Sequence, residues 1–558
     1  MLLKKNGKIV TGICCAAAIA GVAAFGFFSG DDNDYFLKIY NGIDTFTRVY
    51  KDVAANYVDQ INPELFMRAG IDGMLKTLDP YTSFIGAEEG DEIDLVTTGK
   101  YGGVGITIAS RDGYVTVIGL IDGYSAARQG IEVGDRITGV DGKNVSGQSI
   151  DDVRLLVRGP QGTPLSLTIE REGEKAPLVY SLTREEIPVH NVSYAGFIEP
   201  GIAYVRLERF YRTTGNDMRS TLKDLKAKGD VKGFILDLRG NPGGLLEVAV
   251  DVVSQFVPDS TLIVSTRGRR ADTEHKYFSS QTPMLPDVPV VVLVDRNSAS
   301  ASEIVAGAIQ DMDRGIIVGT RTFGKGLVQT IERISETTAL KITTARYYTP
   351  SGRCIQEIDY SHRAKDGRVA VIPDSVKKEF FTARYHRPVW DDGGIKPDST
   401  VSDSEHIALI EELERKDLFF KYANHFAVVH KTLPDHFQVT KDITADFEKF
   451  TGEKGFTYEM EGEPQLKELQ QAAAESGYSK AFSDEASKLS LLLKAEKSSQ
   501  FQRHENEIRS ALLTEILGRL KGEQAKIEST FDDDDQMQTA LSLLKDKKVY
   551  AALLQGTR

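Results

Sequence analysis

Between residues 195 and 400, short hydrophobic runs alternate with longer stretches of helical periodicity, and this alternation constrains the fold more than any other feature of the chain. Residues 233–238, 288–294 and 315–319 read as strands, and 245–257 and 299–313 read as helices. Leu245, Val248, Ala249, Val252, Val253 and Phe256 fall on one face of the first helix, so it should pack on a sheet. The expected fold class is a multidomain α/β protein whose core is built from these repeats.

The flanks differ in character. Residues 95–183 carry β-rich runs at 104–108, 114–119 and 165–170, Asp-Gly turns at 112–113 and 141–142, and one helical stretch at 149–158. Residues 34–85 read as helical, with Phe36, Ile39, Ile43, Phe46, Tyr50, Val53 and Tyr57 at heptad a and d spacings. Such a stripe suits pairing with a second copy of the chain, or packing on its own protein. Beyond 400 the pattern is charged and largely helical, with an acidic run from Asp532 to Asp535 and no legible chemistry.

Lys4, Lys5 and Lys8 precede an uncharged run from Ile9 to Phe28, 20 residues long. As a helix this run measures about 30 Å, enough to cross a bilayer. The flanking charge predicts an inner-membrane anchor with the body on the periplasmic, extracytoplasmic side. A cleaved signal peptide is the alternative, although no A-x-A pattern follows the run. The net charge of -13 argues against a nucleic-acid partner, and three cysteines, two inside the apolar run, provide no disulfide framework.

Two predicted strands run straight into helices, through Asp-Leu-Arg-Gly-Asn-Pro-Gly-Gly at 237–244 and Asn-Ser-Ala-Ser-Ala-Ser-Glu at 297–303. Ligands of open α/β sheets gather at such strand ends, and helix amino termini there present N–H groups to an anion. Ser300 is therefore placed to react. Ser300 with Glu303 also satisfies a capping box, a common way to begin a helix. Lys325, flanked by Gly324 and Gly326, reads by itself as an exposed turn and gains interest only as a partner for the serine.

Taken together, the motif at 297–303 and Phe-Gly-Lys-Gly-Leu-Val-Gln at 323–329 resemble the carboxyl-terminal processing (tail-specific) protease family. So do Leu-Asp-Pro-Tyr at 78–81, Tyr-Gly-Gly-Val-Gly at 101–105, the segment 239–244, Tyr-Tyr-Thr-Pro-Ser-Gly-Arg at 347–353 and Gly-Gly-Ile-Lys-Pro-Asp at 393–398, all in family order. The resemblance implies a serine endopeptidase in which Ser300 is the nucleophile, Lys325 the general base and Gln329 the residue that orients the lysine. It also implies an oxyanion hole from the N–H groups of Gly244 and Ala301. A lysine works as a base only when neutral, which requires lowering its pKa by roughly 3 units, worth about 4 kcal/mol of environment. Phe323, Gly324, Gly326 and Leu327 are expected to exclude water there, and Gln329 can accept from the amine without adding charge.

Residues 95–183 resemble a PDZ domain, with Tyr101, Gly102, Gly103, Val104 and Gly105 as the carboxylate-binding loop. A substrate's apolar carboxyl-terminal tail would add as a strand beside Val104 and Ile106, facing a helix that carries Val153, Leu156 and Val157. The mechanism needs no cofactor, and no cluster has metal-ligand spacing. The expected division is an anchor at 1–30, a helical region at 31–94, the PDZ-like domain at 95–183, the peptidase core at 184–400 and a helical extension at 401–558. The rival from another class is a catalytically silent, membrane-tethered PDZ adaptor that binds protein tails without cutting them.

Overall fold

The computed structural model describes residues 30–86, 98–189, 191–270, 273–335, 338–363, 369–371, 377–402 and 407–557. The chain divides into two compact units, Met1–Pro80 and Tyr81–Arg558.

In the first unit, helices α1 (Gly30–Asn56) and α2 (Pro63–Leu75) replace the unbroken helical stretch expected to residue 85. Pro63 is the reason, because the residue before a proline avoids helical backbone. Asn62 is accordingly extended, and its side chain caps α2 by accepting from the Glu64 and Leu65 N–H groups. Tyr57 therefore falls beyond α1, while Phe36, Ile39, Ile43 and Phe46 are exposed along it.

The expected membrane anchor requires correction, and with it the membrane partner and the inner-membrane, periplasmic placement. Among the described residues no helix is long and apolar enough to cross a membrane. Even the longest helices, α1 and the later Lys480–Arg503, interleave charges along their length. The run from Ile9 to Phe28 lies outside the described residues.

The second unit begins with β1 (Ser83–Ile85) and β2 (Lys100–Gly103). A small domain follows: β3 (Ile106–Arg111), β4 (Tyr114–Leu120), α3 (Ser125–Gln129), β5 (Arg136–Val140), β6 (Lys143–Asn144), α4 (Ile150–Val157), β7 (Pro164–Glu170) and β8 (Leu178–Thr183). Its antiparallel sheet runs β3-β4-β5-β7-β8 with β6 on β5, so β3 lies at an edge. Val117, Ile137, Leu167 and Ile169 fill its core with Val153 and Val157 of α4. Ser149 starts α4 by accepting from the Asp152 N–H at 3.2 Å. The chain leaves through β9 (Glu185–Pro188), which pairs with β2, so the small domain is closed off by one two-stranded ribbon.

The α/β core follows as β10 (Val192–Glu199), β11 (Ile202–Leu207), α5 (Thr214–Lys228), β12 (Gly233–Asp237), α6 (Leu246–Val253), β13 (Leu262–Gly268) and β14 (His275–Phe278). It continues with β15 (Val290–Val294), α7 (Ala301–Asp311), β16 (Ile316–Gly319), β17 (Leu327–Arg333), β18 (Ala339–Tyr348) and β19 (Ser399–Thr400). The main sheet is ordered β10-β11-β12-β15-β16-β19, parallel except at β10. β12 and β15 are buried at every residue, which explains their uninterrupted apolar sequence. On one face Leu236 and Val292 pack with Ala249 and Val253 of α6 and Val305 of α7. A second, antiparallel sheet, β1-β18-β13-β14 with β17 on β18, carries the segment that follows the lysine motif.

Residues beyond 402 form α8 (Ala408–Arg415), α9 (Leu418–Val429), α10 (Lys441–Glu453), α11 (Glu463–Glu475), α12 (Lys480–Arg503), α13 (Glu505–Lys521), α14 (Glu523–Glu528), α15 (Asp535–Lys545) and α16 (Lys547–Gln555). The first helices share a core of their own around Phe419, Tyr422, Phe447 and Leu512. The last ones return to the main sheet: Met537, Ala540 and Leu541 of α15 cover Ile235, Val291, Leu293 and Val318. The extension thus supplies the sheet's second helical layer.

Candidate active site

The site lies where β12 and β15 end. After Val294, Asp295 turns the chain by accepting at one carboxylate oxygen from the N–H groups of Gly240 at 3.0 Å, Asn297 at 3.0 Å and Ser298 at 2.9 Å. Both strand exits are thereby fixed to one side chain. Ser300 then adopts φ 55°, ψ -112°, a conformation that side chains other than glycine avoid, immediately before α7 begins at Ala301. Such backbone costs of order 1–3 kcal/mol and persists only where the surroundings hold it. A strained serine at a strand-to-helix turn is the nucleophile-elbow geometry.

Glu303 is what holds it. Its carboxylate, fully buried, accepts from the Ser300 N–H at 2.8 Å, the Lys325 N–H at 2.9 Å, the Gly324 N–H at 2.7 Å and the Thr322 hydroxyl at 2.6 Å. Burial pushes its pKa up to about 7, against the pull of these donors toward the ionised form. Tyr347 makes a second bridge, its hydroxyl donating to the Lys325 carbonyl at 2.6 Å and the Ser300 carbonyl at 3.2 Å. The serine and lysine motifs are therefore joined through their main chains at two points.

The glycines around Lys325 are required by close packing. A Cβ on Gly324, at φ 87°, would lie 2.7 Å from Glu357 Cβ, and one on Gly326 would lie 2.8 Å from the Gln356 nitrogen. The segment is a packed loop and not the exposed turn its sequence suggests. Its desolvation is uneven, because Leu327 is buried whereas Phe323 is 45% exposed, so Phe323 does not exclude water as expected. Lys325 is half-buried, with its amine 4.2 Å from the centre of the Tyr81 ring. Gln329 sits at an irregularity where β17 meets β18, and its amide nitrogen donates to Thr343 Oγ1 at 3.3 Å.

Opposite Ser300 runs the loop 239–244. Asn241 anchors it: its carbonyl receives the Ala299 N–H at 3.0 Å and the Ser302 hydroxyl at 2.8 Å, and its amide donates to the Leu207 carbonyl at 2.8 Å. A Cβ on Gly243 would lie 2.6 Å from the Ala299 oxygen and 2.9 Å from Ser300 Cβ. Gly244, at φ 153°, leaves no room either, since its Cβ would fall 2.2 Å from the Phe210 oxygen. Neither the Gly244 nor the Ala301 N–H donates to an acceptor among the described residues. Among the described residues, no group of His, Cys, Asp or Glu is arranged to hold a metal ion.

Comparison with known proteins decides the lineage. Residues 201–362 match the sequence model of Peptidase family S41, residues 116–171 a PDZ domain, and residues 409–544 the C-terminal helical domain of a probable PDZ-protease. A carboxy-terminal-processing protease of Bartonella bacilliformis is 38% identical over 387 residues, covering 69% of this chain and 85% of the relative. The chain belongs to the S41 carboxyl-terminal-processing proteases. Further relatives are the carboxyl-terminal-processing protease of Synechocystis, 36% identical over 55% of this chain and 70% of its own, and carboxy-terminal processing protease CtpA of Bacillus subtilis, 30% identical over 61% and 71%. The protein is a serine-type carboxyl-terminal-processing endopeptidase with an included PDZ domain and helical flanking regions.

The PDZ residues of this protease divide into two groups. Ile106 opens edge strand β3, and Val104 and Gly105 lead into it, with their carbonyls taken by the N–H groups of Ala126 and Ile121. Tyr101, Gly102 and Gly103 instead belong to β2 and pair with β9. The Tyr101 ring is covered by the Arg158 guanidinium at 4.7 Å, and burial raises its pKa. On α4, Val153 and Val157 face the domain's own core and only Leu156 is partly accessible, so two of the three expected groove side chains are structural.

Sequence reasoning missed three residues of the candidate site. Glu303 reads as a helix cap because its other partners lie some twenty positions on. Tyr347 sits in a noted motif without an assigned task, and Tyr81 likewise.

Proposed function

We propose that Ser300 is the nucleophile of this protease, Lys325 its general base, Gln329 the residue that orients the lysine, and the Gly244 and Ala301 N–H groups its oxyanion hole. Ser300 Oγ would attack the substrate carbonyl carbon while the Lys325 amine takes the hydroxyl proton. The tetrahedral oxygen would sit against the two uncommitted N–H groups. Lys325 would then return the proton to the departing amine, and water would release the acyl group by the same route. The observation that carries this reading is the double bridge of Glu303 and Tyr347, which holds the strained Ser300 backbone and the Lys325 backbone as one unit. The division at residues 95, 184 and 401 into PDZ-like domain, peptidase core and extension serves the same proposal.

Substrates would be proteins ending in apolar residues, adding a strand to β3 with a side chain toward Leu156. The test compares the full chain with Ser300→Ala and Lys325→Ala on an unfolded protein ending in small apolar residues. Cleavage by the wild type alone is expected. Cleavage that survives Ser300→Ala would remove the nucleophile assignment, and survival in Lys325→Ala would point to another base. Binding without cleavage by all three would leave the adaptor.

A further inference from the structure

Arg239 opens the loop whose far end is Gly244, and its guanidinium is held from two directions. Nε and Nη2 contact the Asp237 carboxylate at 3.1 and 2.7 Å, within the core. Nη1 contacts Asp534 at 2.7 Å, from the acidic run of the C-terminal extension. Asp237 is fully buried at the end of β12 and also accepts from the Tyr204 hydroxyl at 2.8 Å. Burial opposes its ionisation, yet the Arg239 guanidinium keeps its pKa below the usual carboxylate value.

Asp534 is itself fixed, since its other carboxylate oxygen accepts from the Met537 N–H at 3.0 Å and so caps α15. α15 in turn is seated on the main sheet through Met537, Ala540 and Leu541. A continuous path of bonds thus runs from α15 through Asp534 and Arg239 into the loop. It continues through Asn241, whose carbonyl holds Ala299 and Ser302 on both sides of Ser300. A fork of this kind sets an arginine plane more firmly than one carboxylate can.

We infer that Asp534 is a positioning residue for the peptidase: through Arg239 it fixes the 239–244 loop so that the Gly244 N–H faces the oxygen of the tetrahedral intermediate. The C-terminal extension is then part of the catalytic apparatus of this protease, and the acidic run has a task at one of its four members. The inference rests on the assignment of Ser300 and of the Gly244 oxyanion donor made above.

The test uses the full chain with Asp534→Asn, which keeps the helix cap and removes the charge, and Asp534→Glu as the conservative partner. Misplacing an oxyanion donor costs about tenfold or more in kcat. Asp534→Asn is expected to lower kcat by that factor with KM and melting temperature unchanged. It should weaken a peptide boronate, whose oxygen occupies the oxyanion hole, by the same factor, and Asp534→Glu should recover most of both. Unchanged kcat, a loss that follows melting temperature, or a loss without weaker boronate binding would each overturn the inference. Absence of Ser300-dependent cleavage in the wild type would instead remove the peptidase assignment, and this inference with it.

Discussion

At the scale of single residues, Glu303 does more than begin a helix. Its two oxygens receive four donors, and three of them are main-chain N–H groups that cannot reverse their polarity. Glu303→Gln would turn an amide NH2 toward at least one of those N–H groups, leaving buried donors opposed. The expected cost is about 2–3 kcal/mol of stability and a large loss of kcat, read by denaturant melts and steady-state kinetics. The wild-type carboxyl also makes stability depend on pH. Its pKa of about 7 in the folded protein lies above the unfolded value of 4.5, so between these values the folded chain binds the extra proton. The contribution is therefore complete below pH 4.5 and is lost as pH rises toward 7, by about 3 kcal/mol in all. Glu303→Gln should abolish that part of the profile, and an unchanged pH dependence would show that the carboxyl does not titrate there. Tyr347→Phe removes the second bridge and should cost about 1–3 kcal/mol, with a fall in kcat that exceeds any change in KM.

At the scale of elements, the loop between β12 and α6 is governed by space. Gly244→Ala would drive a methyl into the Phe210 oxygen, 2.2 Å away and part of the main chain, so the loop would have to move. A loss of about a hundredfold or more in kcat is expected, with little change in binding of tail peptides to the PDZ domain. Equal losses in both would mean general unfolding. This element was legible in sequence because paired glycines between a strand and a helix have few alternative explanations. The strands and helices of the core were equally legible, since a run buried on both faces, such as β12 or β15, writes its environment into consecutive residues. The Lys325 loop was not. Its burial is created by Glu357, Gln356 and Gly394, none of them near in sequence, so glycine flanks alone suggested an exposed turn. The PDZ pattern at 101–105 spans two elements, its first three residues pairing with β9 and its last two leading into the edge strand, a division that residue types alone do not show.

At the scale of the whole second unit, the extension looked separable because its acidic and helical pattern names no partner. Its partners lie in the core sheet, hundreds of residues earlier in the chain. Ile235, Val291, Leu293 and Val318 are completely buried beneath α15, and Tyr550 of α16 completes the hydrogen bonding of Val290, accepting from its N–H at 3.1 Å and donating to its carbonyl at 3.0 Å. A strand that is apolar on both faces needs two helical layers and cannot stand with one, so core and extension should unfold together. Met537→Ala, at a fully buried position in this contact, is expected to lower stability by about 2–5 kcal/mol. The whole shift should appear in one transition, seen alike by probes in the sheet and in α13, because α13, whose Leu512 and Ile516 belong to the helical core, packs on α14, whose Ile527 joins Met537 in the apolar layer over the sheet. A separate early transition confined to the helices would instead mark the extension as an independent domain resting on a self-sufficient core.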